Sequence, residues 1–140
     1  DVYKRQIKGN DFRSKAMMKF TDAYVKNDLN SVSDLFTDDA KIMVNDADLT
    51  FSEMVAGFSS GHNYFDNIRH EDRDAFTMHY TEGDIAGNIF THYWYNWKGT
   101  SKKTGEEISV RGYAWMKWRG DKVEVTYNAF DPTLYNAQIE

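Results

Sequence analysis

The apolar positions of this chain change period once. Up to about residue 61 they recur at helical spacing; from His70 to Asp131 they fall into long strand-like runs. Phe12, Ala16, Phe20 and Tyr24 follow one another at i+4, with Met17 and Ala23 beside them, which predicts one face of an amphipathic helix over about residues 11–27. Ser31 followed by Asp34 marks a second start. Val32, Leu35 and Phe36 then give a short second helix, broken by Thr37-Asp38-Asp39. Residues 40–44 read as a short strand. Thr50 and Glu53 form a capping box with Leu49 and Met54 at the staple positions, so a third helix starts at Phe51 and ends near Gly61.

The remaining runs predict strands at 70–81, 84–98, 106–119 and 122–131. Glu82-Gly83 reads as a tight hairpin turn, residues 98–105 as a longer polar loop, and Gly120-Asp121 as a second tight turn. Pro132 follows the last strand, where its missing N–H does no harm.

An antiparallel sheet with one wet face should alternate apolar with polar residues. These strands do not. In 89–97 one face carries Ile89, Tyr93, Tyr95 and Trp97, and the other Phe90 and Trp94. In 106–118 one face carries Ile108, Val110, Ala114, Met116 and Trp118, and the other Tyr113 and Trp115. Helices can cover one face; the other calls for a partner. The expectation is a homodimer through the sheet.

Composition narrows the function classes. The length of 140 residues suits one domain, taken as residues 9–140. The opening DVYKRQ fits no element that follows, so residues 1–8 are expected to be disordered or non-native. A net charge of −5 argues against a nucleic-acid or anionic-membrane surface. There are no cysteines, so disulfides and thiolate metal sites are excluded, and the four histidines have no i+4 or H-x-H pairing, so no metal is expected. No apolar run approaches the length of a membrane span. A cytoplasmic location is the expectation, with the start at Asp1 rather than Met leaving the native N-terminus open.

Two segments carry a resemblance. NDLNSVSDLFTDDAKIMV at 27–44 and TGEEISVRGYAWMKWRGDKVEVTYNAFD at 104–131 resemble the motifs of the nuclear transport factor 2-like, or SnoaL-like, superfamily, and together cover about a third of the chain. The resemblance implies an α+β fold. Three N-terminal helices would pack on a strongly bent antiparallel sheet and close a cone-shaped, mostly apolar pocket for a hydrophobic small molecule. It implies no cofactor. It leaves the activity open between acid/base isomerase, dehydratase or polyketide-type cyclase and a non-catalytic binding or dimerisation module.

The known chemistries of that superfamily can be tested on this chain. Ketosteroid isomerase needs a carboxylate base and an oxyanion hole of a tyrosine and a protonated acid; the matching positions hold Val44, Phe20 and Tyr113. The limonene epoxide hydrolase cluster would place a carboxylate at Asn128, and no Arg-x-Asp pair occurs in residues 84–98. The scytalone dehydratase pattern matches in part: its first tyrosine falls on Tyr24 and one histidine on His70, while its second histidine, second tyrosine and acidic partner fall on Tyr95, Val44 and Val25. Turn arithmetic points the same way. With a two-residue turn at 82–83, opposed residues sum to 165, so His70 would face Tyr95.

His70 is therefore the expected general acid/base, with Tyr24 and Tyr95 orienting or polarising a carbonyl. Phe20, Val44, Phe58, Tyr93, Tyr113, Trp115 and Asn128 are expected to line the pocket. Arg111 is expected either to clamp a ligand carboxylate or to sit as a rim charge. His79 and His92 are expected on the dimer face, and His62 in a loop after the third helix.

Overall fold

The structure, a computed structural model, describes residues 5–140. The first helix, α1 (Phe12–Val25), buries Ser14, Met17, Phe20, Thr21 and Ala23. Of the predicted stripe Met17, Phe20 and Ala23 are buried and Ala16 and Tyr24 half-buried, while Phe12, in the first turn, is exposed. The second segment is a 3-10 helix, Leu29–Leu35, that buries Leu29 and Val32. The third is α2 (Phe51–Ser60). Its capping box is formed: the Thr50 hydroxyl accepts from the Glu53 N–H at 3.2 Å, and a Glu53 carboxylate oxygen accepts from the Thr50 N–H at 2.9 Å.

The described strands are β1 (Arg5–Lys8), β2 (Phe36–Val44), β3 (Ala47–Leu49), β4 (Phe65–Tyr80), β5 (Ile89–Ser101), β6 (Glu107–Arg119) and β7 (Lys122–Phe130). They form one sheet in the order β1-β4-β5-β6-β7-β2-β3. A last helix, α3 (Thr133–Ile139), follows Pro132.

β2 and β4 start earlier than the sequence reading has them, β5 runs on to Ser101 into the expected loop, and β3 and α3 are additional; four further differences shape the sheet. The sheet is mixed, because β2 runs parallel to β7; parallel neighbours need a long crossover, and here the chain from α2 to β6 supplies it. Residues 5–8, expected to contribute no element, form β1 against the far end of β4; residues 1–4 lie outside the described residues. The first hairpin has no two-residue turn: β4 ends at Tyr80, β5 begins at Ile89, and Gly83 and Gly87 take positive φ in the loop between them. Finally, β4 carries two bulges. Asn67 and Ile68 together oppose Gly99, and Asp72 and Arg73 together oppose Tyr95. Each bulge holds one residue in the left-handed region, Asn67 at φ 55° and Asp72 at φ 53°. Such bulges bend a strand and move its later side chains to the other face.

The bent sheet has two unlike faces. Tyr93, Tyr95, Trp97, Val110 and Met116 are buried on the concave side against Met17, Phe20 and Met54. Across the concave side runs a ladder of buried hydroxyls: Ser14 Oγ to Thr77 Oγ1, Thr77 Oγ1 to Thr91 Oγ1, and Trp118 Nε1–H donating to Thr91 Oγ1, each at 2.8 Å. The convex side carries Phe76, Phe90, His92, Trp94, Tyr113, Trp115 and Tyr127 in ring contact with one another. Among the described residues no helix covers that ridge, and Trp94 is 51% exposed.

Candidate functional site

The concave face and the helices enclose a cavity of about 290 Å³. Of the residues expected to surround it, Phe20 and Tyr24 come from α1, Val44 from β2, Phe58 from α2, His70 from β4, Tyr93 and Tyr95 from β5, and Asn128 from β7. Trp97, Phe130 and Tyr135 line it as well and were not expected. Trp97 follows Tyr95 by two residues, so strand parity alone could have found it. Tyr135 lies on the short helix after Pro132, for which the sequence period carries no signal.

Three expected lining residues are elsewhere. Arg111, Tyr113 and Trp115 occupy the odd positions of β6, whose pairing with β5 runs without a bulge from Lys117 to Glu107. Parity therefore holds along the strand: Val110, Ala114 and Met116 point into the cone. Tyr113 and Trp115 lie on the convex side, and Arg111 is exposed.

His70 reaches the cavity by a different register from the one expected. It pairs with Trp97, not Tyr95. Its imidazole nevertheless lies flat against the Tyr95 ring, with centroids 4.2 Å apart and planes 8° apart, because Trp97 and Tyr95 share a face and the ring leans along the strand. Nδ1 is 2.9 Å from the Tyr93 hydroxyl. Burial, with the Arg73 cation nearby, pushes the His70 pKa down to about 3, so the ring is neutral near pH 7.

The other histidines stand apart. His92 is on the convex face, hydrogen-bonded through Nδ1 to Tyr113 at 2.5 Å. His79, expected on the same face, shares the concave parity of Thr77, since the bulge at Asp72-Arg73 inverts the later half of β4. His62 lies in a 3-10 turn (Gly61–Asn63) with Nε2 2.9 Å from the Tyr24 carbonyl oxygen. Among the described residues no group of three or more acidic or histidine side chains is placed to hold a metal ion.

The phenols complete the polar inventory. Trp97 Nε1–H donates to the Tyr24 hydroxyl at 2.8 Å, and the Tyr95 hydroxyl donates to Asn128 Oδ1 at 2.7 Å. Burial raises the pKa of both phenols, and of Tyr93, so all three keep their protons. The Tyr24 O–H and the Asn128 amide N–H groups have no acceptor among the described residues. No Asp or Glu is among the lining residues.

No family model matches the sequence, nor does any curated protein. Solved structures do match. AclR of Streptomyces galilaeus, provisionally named a hydroxylase, superposes with a TM-score of 0.67 at 15% identity over 91% of this chain and 95% of its own. A Xanthomonas campestris pv. campestris protein provisionally named a polyketide cyclase gives 0.63 at 15% over 90% and 95%. A ketosteroid isomerase-like protein of Erwinia carotovora atroseptica gives 0.60 at 16% over 83% and 91%. The α+β fold is the one these structures share with a protein of ketosteroid isomerase-like fold and a SnoaL-like protein, as the sequence resemblance implied. Among the described residues no helix is long and apolar enough to cross a membrane.

Proposed function

We propose that the cone binds an uncharged, mostly apolar small molecule of about two fused rings that carries a carbonyl-type acceptor. One observation carries this reading: the Tyr24 O–H and the Asn128 N–H face an otherwise apolar cavity without an acceptor among the described residues, and no carboxylate is there to receive a ligand's own donors. An amine, a polyol or a cation would leave its donors unpaired, at about 1–3 kcal/mol each. The volume of about 290 Å³ lies at the small end of ligand sites and sets the size.

A ligand-binding module fits these groups better than an enzyme does. The donors suit a carbonyl and would suit an enolate, but proton abstraction needs a base, and a histidine titrating near 3 is a weak one. The second reading, a cofactor-independent isomerase or cyclase, is favoured by the names that the structural neighbours carry. One experiment separates them. The bicyclic ketone 1-tetralone is titrated beside tetralin, the same skeleton without oxygen, by calorimetry in D2O, and α-proton exchange is followed by NMR. Binding of the ketone about tenfold tighter than the hydrocarbon, without exchange above background, supports the module. Exchange supports the enzyme. Equal affinity for both, or binding of neither, refutes the donor-lined site.

The second part of the proposal is a homodimer through the convex face. Trp94 and its aromatic neighbours are uncovered there, and Nε2 of His92 is buried without a hydrogen-bond partner. Lys117 pairs with Glu124 at 3.0 Å and Arg119 with Glu124 at 2.8 Å, while the exposed Arg111 and Asp74, of opposite sign, share this face outside any ion pair among the described residues. An aromatic face that carries one free charge of each sign suits a second copy of itself, in which the two can meet.

A further inference from the structure

His70 has two ring nitrogens, and which of them carries the proton decides what the ring offers a ligand. The answer lies in Arg73. In an unbroken strand Arg73 would sit on the opposite face from His70, three residues earlier. The bulge that sets Asp72 and Arg73 together against Tyr95 brings it to the same face.

There four of its five N–H donors are engaged. Nη1 donates to Asp22 Oδ1 at 2.8 Å, Nη2 to Thr21 Oγ1 at 2.6 Å and to the Met18 carbonyl oxygen at 3.2 Å, and Nε to the Tyr93 hydroxyl oxygen at 2.9 Å. Arginine donates only. The Tyr93 oxygen must therefore accept from Arg73, and its own proton must go elsewhere. Tyr93 is 0% exposed, so water does not take it. The neighbouring Thr21 hydroxyl already donates to the Met18 carbonyl oxygen at 3.0 Å and accepts from Arg73. Nδ1 of His70, 2.9 Å away, takes it at ordinary hydrogen-bond distance, with the second lone pair of the Thr21 oxygen as the competing acceptor.

We infer that Arg73 and Tyr93 are positioning residues: they hold His70 as the single neutral tautomer with Nδ1 accepting and the proton on Nε2. Nε2–H is left on the opposite edge of the ring, without a protein partner among the described residues, as a third donor beside Tyr24 and Asn128. His70 then serves to polarise an acceptor and not to remove a proton, since the nitrogen on that edge is already protonated. This replaces the general-base role expected from the sequence. It concerns the site of the proposed ligand, but its test needs no ligand, so the two fail separately.

The test is long-range proton–nitrogen correlation NMR on the 15N-labelled protein at pH 7, with the His70 signals assigned by their loss in His70→Asn. The expected result is one neutral ring with Nδ1 unprotonated and Nε2 protonated. Tyr93→Phe and Arg73→Met should each give averaged tautomers, and Arg73→Met should also move the His70 titration midpoint upward. Arg73→Lys should restore part of the single-tautomer pattern. A His70 that is charged at pH 7, or protonated on Nδ1, in the unaltered protein overturns the inference. So does an unchanged pattern in both Tyr93→Phe and Arg73→Met.

Discussion

His70 and Tyr95 lie face to face, 4.2 Å between centroids and 8° between planes, although neither is the other's cross-strand partner. The stack is possible because Tyr95 lies down along the sheet. Its cross-strand partner is Gly112, and a Cβ at that position would fall inside the van der Waals envelope of the Tyr95 ring. Glycine at 112 is thus what lets Tyr95 reach both His70 and Asn128.

The first prediction follows directly. Gly112→Ala must push the Tyr95 ring away from Asn128 and from His70. Overpacking of this kind costs about 1–3 kcal/mol, read as a lower urea midpoint at unchanged slope. The same variant should bind 1-tetralone less tightly. An unchanged midpoint would mean that the Tyr95 ring is not where it is described.

The buried hydroxyl ladder gives a second prediction. Thr77 joins Ser14 to Thr91, and all three are buried. Thr77→Val keeps the shape; Ser14 still donates to Asp11 Oδ1 at 2.5 Å, but the Thr91 O–H loses its acceptor, so the variant should lose about 1–3 kcal/mol in urea unfolding. Because the two threonines share one bond, Thr77→Val and Thr91→Val combined should cost less than the sum of the single changes. Full additivity would contradict a connected ladder.

Much of this was legible before the structure. The helix faces, the capping box at Thr50 and Glu53 and the parity of β5 and β6 are local patterns, and local patterns are what periodicity reports. The positions of Phe20, Tyr24, Tyr95 and Asn128 around the cone followed from them and from the resemblance. What was not legible depends on where the period fails. Asn67 and Asp72 look like ordinary polar strand residues, yet each inserts a bulge. The bulge at Asp72-Arg73 inverts His79 and brings in Arg73, and the 165 rule fails at His70 because the connection from Tyr80 to Ile89 is longer than two residues and this bulge lies between it and His70. The parallel pairing of β2 with β7 leaves no local trace, because it joins segments about eighty residues apart. Tyr113 and Trp115 were misplaced for a different reason: parity puts both on one face of β6 but does not say which face is concave, and only the pairing with β5 decides that.

The pH dependence of stability should carry the mark of His70. In the unfolded chain its imidazole titrates near 6.5, and in the fold near 3. Between those values the unfolded state holds more protons, so stability falls as pH drops through this window and is complete above 6.5. The slope from this one group is at most about 1.4 kcal/mol per pH unit. Burial depresses His79 and His92 as well, in the same direction, so the useful quantity is a difference. Urea midpoints at pH 7 and pH 5 should diverge more for the unaltered protein than for His70→Asn; equal divergence would contradict a neutral, buried His70.

Assembly is checked by sedimentation. The unaltered chain should run as a dimer at micromolar concentration, and Trp94→Glu, which sets a charge in the middle of the convex aromatic face, should run as a folded monomer. A monomer in both cases refutes the dimer; a dimer in both moves the interface elsewhere.

The central claim is that the cone offers hydrogen-bond donors to an acceptor in an apolar setting. Infrared difference spectroscopy on bound, carbonyl-labelled 1-tetralone tests it at the bond concerned. Donors fixed on the oxygen weaken the C=O bond, so the stretch should fall below its value in water, and Tyr24→Phe and Asn128→Leu should each raise it part of the way back. A stretch at the frequency found in a hydrocarbon solvent, unmoved by either change, would contradict the account.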